Sequence, residues 1–253
     1  MKAVWQEDFP VRWRDVDRAG RLTLASTMEV FQEAAISHAE ELGAGRAVML
    51  ADRQGWVLSR MSVVMDARPR WGDGLTVRTW PRGTDRLFAV RDYDIMAGGG
   101  AIIRGRSGWL ILDLDRRRPL RPQSVVDKMP ANEGRDALSG TPAGLEARDG
   151  LAKTAERTAR YSDIDFNGHM NNTRYISWLQ DLAPPELLEN AARLRLDVNY
   201  LAEVMPGECI ELYSGMAALP SGAEHDGAWT EALAVEGRRG GEAVFRAELR
   251  AGT

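Results

Sequence analysis

The sequence predicts an α+β protein built of two tandem halves, each an antiparallel sheet curled around a single helix. Three observations predict it. A polar motif occurs twice at a constant offset of 148 residues. Each copy precedes one stretch of helical periodicity and then about four strand-like stretches. The length, 253 residues, suits two domains of about 125 residues each.

The repeat aligns Arg12-Trp13-Arg14-Asp15-Val16-Asp17-Arg18-Ala19-Gly20-Arg21-Leu22 with Arg160-Tyr161-Ser162-Asp163-Ile164-Asp165-Phe166-Asn167-Gly168-His169-Met170. Arg12/Arg160, Asp15/Asp163, Asp17/Asp165, Gly20/Gly168 and, further on, Gln32/Gln180 are identical in that register. The first copy holds Ala19 and Arg21 where the second holds Asn167 and His169. A duplicated scaffold with one working site, in the second half, is the expectation.

In the first half a short strand leads into the motif, and a helix follows near residues 23–42. Leu24, Met28, Phe31, Ala35 and Leu42 recur at helical spacing, and Gly43 with Gly45 supplies a stop. Strands are expected over 56–65, 75–80, 87–96 and 102–114. The alternation Leu75-Thr76-Val77-Arg78-Thr79-Trp80 marks sheets with one buried face. Trp71-Gly72-Asp73-Gly74 and Ala97-Gly98-Gly99-Gly100 read as turns. In the second half the helix begins at Asn171 or Asn172, good N-cap residues, and Tyr175, Trp178, Leu179 and Leu182 form its apolar stripe before Pro184-Pro185 ends it. Strands are expected over 194–201, 209–214, 229–235 and 243–249, and Pro206-Gly207-Glu208 answers Trp71-Gly72-Asp73.

The segment 122–151 holds Pro, Gly, Asn and scattered charge without periodicity, so it reads as a linker over the surface. The expected domains are 1–130, a linker at 131–152, and 153–253. One helix followed by a meander of long strands, twice over, is a tandem hot-dog arrangement, whose sheets ordinarily join side by side.

Composition narrows the function classes. No apolar run approaches the roughly 20 residues that span a bilayer. Trp5, Glu7 and Asp8 replace the charged-then-apolar order of a signal sequence, so a cytoplasmic protein without membrane insertion is expected. Cys209 is the only cysteine, which excludes an intrachain disulfide and fits a reducing compartment. The net charge of −4 disfavours nucleic acid as partner. No histidine pair has metal-ligand spacing and no carboxylate run has Ca²⁺-loop order, so neither a metal nor another cofactor is expected.

The chemistry concentrates at Asp165, Asn167 and His169. Their i, i+2, i+4 spacing places all three on one face of an extended or gently turning segment. Gly168 permits the turn, and the helix that begins just beyond aims its positive end at the same region. Carboxylate, amide, imidazole and a helix N-terminus together suit attack on an acyl carbonyl.

Asp165-Phe166-Asn167-Gly168-His169-Met170-Asn171-Asn172-Thr173-Arg174-Tyr175 resembles the Asp-x-Asn-x-His-x-Asn-Asn-x-x-Tyr signature of the acyl-acyl-carrier-protein thioesterases of plants and bacteria. Tyr200-Leu201-Ala202-Glu203 resembles that family's Tyr-x-x-Glu. Pro69-Arg70-Trp71-Gly72-Asp73, Thr79-Trp80-Pro81-Arg82-Gly83 and the segment 113–122 are similar to bacterial members, so the resemblance covers most of the chain. It implies hydrolysis of fatty acyl-acyl carrier protein thioesters, with Asp165, Asn167, His169 and Glu203 as the catalytic set. It implies as partner an acidic acyl carrier protein bearing its acyl-phosphopantetheine, for which Arg116-Arg117-Arg118 with Arg121, and Arg68 with Arg70, are candidate docking cations. Many plant members carry cysteine directly after the glutamate; here Val204 stands there, so a cysteine nucleophile is lost.

Other residues have plainer readings. Asp163, matched by Asp15, is expected to be structural, and Asp165 and Asn167 also suit an Asx turn. His38 is expected to be a satisfied packing residue, His225 a solvated loop residue, and Cys209 a buried thiol on a strand. Tryptophans are expected mostly in strands. An acyl-CoA thioesterase and a non-catalytic acyl-thioester-binding module are the competing functions on this fold. The tandem copy leaves monomer and homodimer both open.

Overall fold

The computed structural model describes residues 1–130, 132–219 and 229–252. His225 lies outside the described residues. The chain divides into two compact units: Met1–Val63 with Pro69–Pro142, and Val64–Arg68 with the chain from Ala143 onward.

In the first unit, β1 (Trp5–Pro10) leads through a 3-10 turn at Trp13–Asp15 to α1 (Leu24–Glu41). Then come α2 (Arg46–Ala51), β2 (Gln54–Met65), β3 (Gly74–Asp85), β4 (Phe88–Ala97), β5 (Gly100–Asp113), β6 (Arg118–Leu120) and α3 (Gln123–Val126). The sheet order is β1-β3-β4-β5-β2, with β6 on β5. Thr23 caps α1 by accepting the Ser26 N–H at 3.1 Å, and Gly43 ends it in the left-handed region at φ +70°. Leu24, Met28, Phe31, Ala34 and Ala35 bury one face of α1. Phe31 stacks on Tyr93 of β4 at 4.7 Å, and Gly105 of β5 admits it: a Cβ there would lie 2.7 Å from the Phe31 ring.

His38 is fully buried on α1, as expected for a packing residue. Its Nε2 meets the Lys2 carbonyl at 3.0 Å and its Nδ1 meets Arg91 Nη1 at 3.1 Å. Nε2 therefore donates and Nδ1 accepts, which is the pattern of a neutral imidazole.

The second unit repeats the plan. It contains β7 (Ala152–Thr158), a 3-10 turn at Tyr161–Asp163, α4 (Asn172–Leu182), α5 (Pro185–Asn190), β8 (Arg193–Tyr200), β9 (Cys209–Met216), β10 (Trp229–Arg239) and β11 (Glu242–Gly252). The order β7-β9-β10-β11-β8 is that of β1-β3-β4-β5-β2. Tyr175 of α4 packs edge-on against Phe245 of β11 at 5.0 Å, and Gly237 on β10 makes room for the Phe245 ring.

The segment read as a linker covers the polar faces of the sheets. In the first unit Arg106 pairs with fully buried Asp92 at 2.5 and 2.7 Å and with Asp136 at 2.6 Å, while the Ala137 N–H donates to Asp92 at 2.9 Å. In the second, Asn199 accepts the Leu145 N–H at 2.7 Å and donates to the Ala143 carbonyl at 3.0 Å. Charged side chains alternate outward along these strands, and the irregular segment satisfies its own backbone against them.

Cys209 is exposed, not buried. It opens β9, where Ile210, Leu212 and Ser214 take the inward positions, so alternation sends Cys209 to the other face. Five tryptophans do lie in strands. Trp13 and Trp71, however, stand exposed outside them, edge to face at 5.2 Å.

Candidate active site

The turn carrying the predicted residues is closed by its own backbone. Asp165 N–H donates to the His169 carbonyl at 3.0 Å, Gly168 N–H donates to the Asp165 carbonyl at 3.0 Å, and Ile164 bridges Met170. Gly168 sits at φ +86°, a conformation other residues adopt only at a cost. The Asp165 side chain accepts the Asn167 N–H at 2.7 Å, an Asx turn. Asp163 accepts the Arg160 N–H at 2.9 Å through its side chain, and its carbonyl accepts the Asn171 N–H at 2.8 Å.

Glu203 arrives from a different part of the chain. Met170 N–H donates to the Val204 carbonyl at 2.8 Å, which fastens the 203–204 main chain beside residues 169–170. Below it, Tyr175 is buried and its hydroxyl meets the Val204 backbone. Burial pushes the Tyr175 phenol upward, Arg239 draws it back, and the nearby charges of Glu203 and Glu208 push it up again. Tyr200, from the Tyr-x-x-Glu block, donates to the Asn172 carbonyl at 3.0 Å and stacks edge-on to Tyr175 at 5.4 Å.

Asn167 and Glu203 are exposed, whereas Asp165 and His169 are half-buried. His169 Nδ1 lies 3.4 Å from the Met170 carbonyl. The four predicted residues thus share one turn and the strip bonded to it. Around them Tyr161, Phe166, Leu201 and Met205 expose large apolar surface. A cavity of about 300 Å³ in this unit lies elsewhere, against the outer face of β10 and β11, and none of the four lines it.

The helix N-terminus is more occupied than the sequence suggested. Asn171 accepts the Thr173 N–H on its side chain at 2.9 Å and the Arg174 N–H on its carbonyl at 3.0 Å. Those two amides are committed to capping, which leaves the helix dipole as their contribution at a distance.

Sequence reasoning missed Arg239 at the end of β10. It donates to the Glu203 carbonyl at 3.1 Å and pairs with the Glu208 carboxylate. The signal was available: aligning the Gly98-Gly99 and Gly240-Gly241 turns sets Arg239 against Ala97.

The Acyl-ACP thioesterase N-terminal domain family matches residues 2–129, and the Acyl-ACP thioesterase C-terminal domain family matches residues 147–243. The chain belongs to the acyl-ACP thioesterase family. A solved acyl-ACP thioesterase from Bacteroides thetaiotaomicron is 29% identical, with a TM-score of 0.78 over 98% of this chain and 97% of that one. The 12:0-ACP thioesterase of Umbellularia californica shares the fold, with a TM-score of 0.80 at 20% identity over 98% and 93% of the two chains. The chloroplastic palmitoyl-acyl carrier protein thioesterase of Cuphea hookeriana is 28% identical over 95% of this chain and 60% of its own length. The chain spans 55–61% of the length of this and two further plant relatives. Among the described residues no helix is long and apolar enough to cross a membrane.

Proposed function

We propose that this acyl-ACP thioesterase-family protein hydrolyses fatty acyl thioesters carried on acyl carrier protein, in the cytoplasm, releasing free fatty acid. One observation supports the reading above all. The turn that carries Asn167 and His169 is bonded through Met170 to the carbonyl of Val204, next to Glu203, on a chain that matches the family along nearly its whole length.

Glu203 acts as general base. It takes a proton from water as the water oxygen attacks the acyl carbonyl carbon. His169 orients that water, and the Asn167 carboxamide donates to the developing oxyanion, with the dipole of α4 behind it. Collapse breaks the C–S bond, and the leaving phosphopantetheine thiolate accepts the proton. Its conjugate acid has a pKa near ~8.5, so departure needs little assistance. Asp165 holds the turn through the Asn167 N–H. No metal or other cofactor takes part, and one chain, as monomer or in a homodimer, carries a single working turn.

Matched acyl-carrier-protein and acyl-CoA substrates of graded chain length test the proposal, with fatty acid detected by mass spectrometry. The expected result is free acid and a higher kcat/KM on the carrier substrate, falling as salt rises because the exposed arginines at Arg116–Arg118 and Arg121 face an acidic partner. Equal turnover of the CoA substrate would move the assignment to an acyl-CoA thioesterase. Tight binding without release would make the protein an acyl-thioester-binding module.

A further inference from the structure

The two units close the same loop in the same way, and that equivalence isolates what the second unit adds. In the first unit Asp73 accepts the Arg70 N–H at 2.8 Å, Leu22 N–H donates to the Pro69 carbonyl at 2.7 Å, and Gly72 N–H donates to the Val11 carbonyl at 3.0 Å. In the second, Glu208 accepts the Met205 N–H at 2.8 Å, Met170 donates to Val204, and Gly207 N–H donates to the Ala159 carbonyl at 2.8 Å. The loops therefore superpose in register, 70 on 205 and 73 on 208, which sets Arg68 against Glu203.

The hairpins extend the register. Ala97 pairs with Gly100 at the end of β4, and Arg239 pairs with Glu242 at the end of β10. Arg239 and Glu203 thus occur together in the sequence repeat with the motif's histidine, and Ala97 and Arg68 hold the matching positions in the repeat without it. The acid that closes the loop is common scaffold, while the arginine is not.

Arg239 reaches two points on that loop. Its Nη1 donates to the Glu203 main-chain carbonyl at 3.1 Å and to the Glu208 carboxylate. The Met205 N–H, and against the opposing effect of burial Arg239, hold the Glu208 carboxylate below its ordinary value. One guanidinium nitrogen thus ties a carbonyl to a carboxylate, and a lysine, whose ammonium is more strongly hydrated on a more flexible stem, reproduces that brace only in part. Glu203 itself is exposed on an irregular loop, between Leu201 and Ala202, whose N–H groups donate to the Val244 carbonyl, and Val204, whose carbonyl accepts from Met170.

We propose that Arg239, anchored by Glu208, is a positioning residue that sets Glu203 for proton abstraction by gripping its main-chain carbonyl. The inference rests on Glu203 being the base. The test is a set of steady-state measurements on Arg239→Ala, Arg239→Lys, Glu208→Gln, Glu203→Gln and the double variant Arg239→Ala/Glu203→Gln, each checked for an unchanged melting temperature. Arg239→Ala is expected to lower kcat about 10- to 100-fold, as displacement of a reacting group does, with KM within about twofold. Arg239→Lys restores part of the loss, and Glu208→Gln, which keeps the Met205 bond, gives an intermediate one. In the Glu203→Gln background the Arg239 change costs nothing further, because the carbonyl it grips then positions no carboxylate able to take a proton.

A silent Arg239→Ala beside an inactive Glu203→Gln overturns the proposal and spares the catalytic assignment. So does a loss that multiplies with that of Glu203→Gln, or one confined to KM. Wild-type turnover in Glu203→Gln removes the base assignment and this proposal with it.

Discussion

The turns at residues 12–23 and 160–171 fold nearly alike although their side chains differ at eight of the twelve positions. Asp15 and Asp163 accept the N–H three residues back at 2.8 and 2.9 Å. Asp17 and Asp165 accept the N–H two residues on at 2.9 and 2.7 Å. Gly20 and Gly168 take φ +72° and +86°, and Val16–Leu22 and Ile164–Met170 form matching bridges. Chemistry is therefore not what shaped this turn: its first duty is to deliver the chain into a helix, and both halves need that. Among the differences are Asn167 against Ala19 and His169 against Arg21 within the turns, and Glu203 against Arg68 beyond them. Features shared by the copies belong to the scaffold, and features confined to one are candidates for function.

The largest test of that division is kinetic. His169→Ala is expected to lower turnover by on the order of 10²–10⁴, the range of lost acid–base assistance, while Arg21→Ala leaves kcat unchanged. Equal effects at the two positions, read by steady-state kinetics, would erase the distinction between a working and an inert copy. Asp165→Asn sharpens it, because asparagine keeps an acceptor for the Asn167 N–H: lost activity with unchanged stability would show that the charge, and not the turn, is what Asp165 supplies.

A smaller effect is expected to be the same in both halves. Gly20→Ala and Gly168→Ala each force a side chain into the left-handed region, where an added Cβ meets open space, so the cost is conformational alone. About 1–2 kcal/mol is expected for each by urea denaturation. A silent change in one copy would mean that its turn relaxes where the other cannot.

The smallest effect belongs to the first half. Burial lowers the His38 pKa, the Lys2 carbonyl raises it, and Arg91 lowers it again, with Glu41 and Lys2 acting more weakly in opposite directions. The unfolded chain then binds the proton first, so stability is full above an ordinary imidazole value of about 6.5 and falls as pH drops through that value toward the folded one. His38→Gln should flatten melting temperature against pH across that window. The second half offers no equivalent, since α4 ends at Leu182, four residues short of the matching position.

Much of the fold was legible because its signals are local. Thr23 and Asn171 cap helices, Gly43 stops one, and Gly98-Gly99 and Gly240-Gly241 turn hairpins. Elements that depend on neighbours were not. Pro184-Pro185 ends α4 as expected, but the same prolines open α5, with Pro185 at its first position, where no N–H is needed. β3 runs past Pro81 to Asp85 because β1 pairs only as far as Thr79, and a bulge between Pro81 and Gly83 absorbs the missing donor. Cys209 was placed on the correct strand but on the wrong face.

The sequence by itself determined the duplication, the order of the main helix and long strands in each half, the family and the motif at residues 165–169, since each rests on neighbours along the chain or on the pattern of residue types. Only the tertiary structure decided that Val204 is bonded beside the histidine, that Asn171 claims the Thr173 amide, and that Arg239, 36 positions beyond Glu203, holds that residue's carbonyl. Strand pairing and hairpin register bring distant backbone groups within hydrogen-bonding range, and no local pattern of residues encodes that distance.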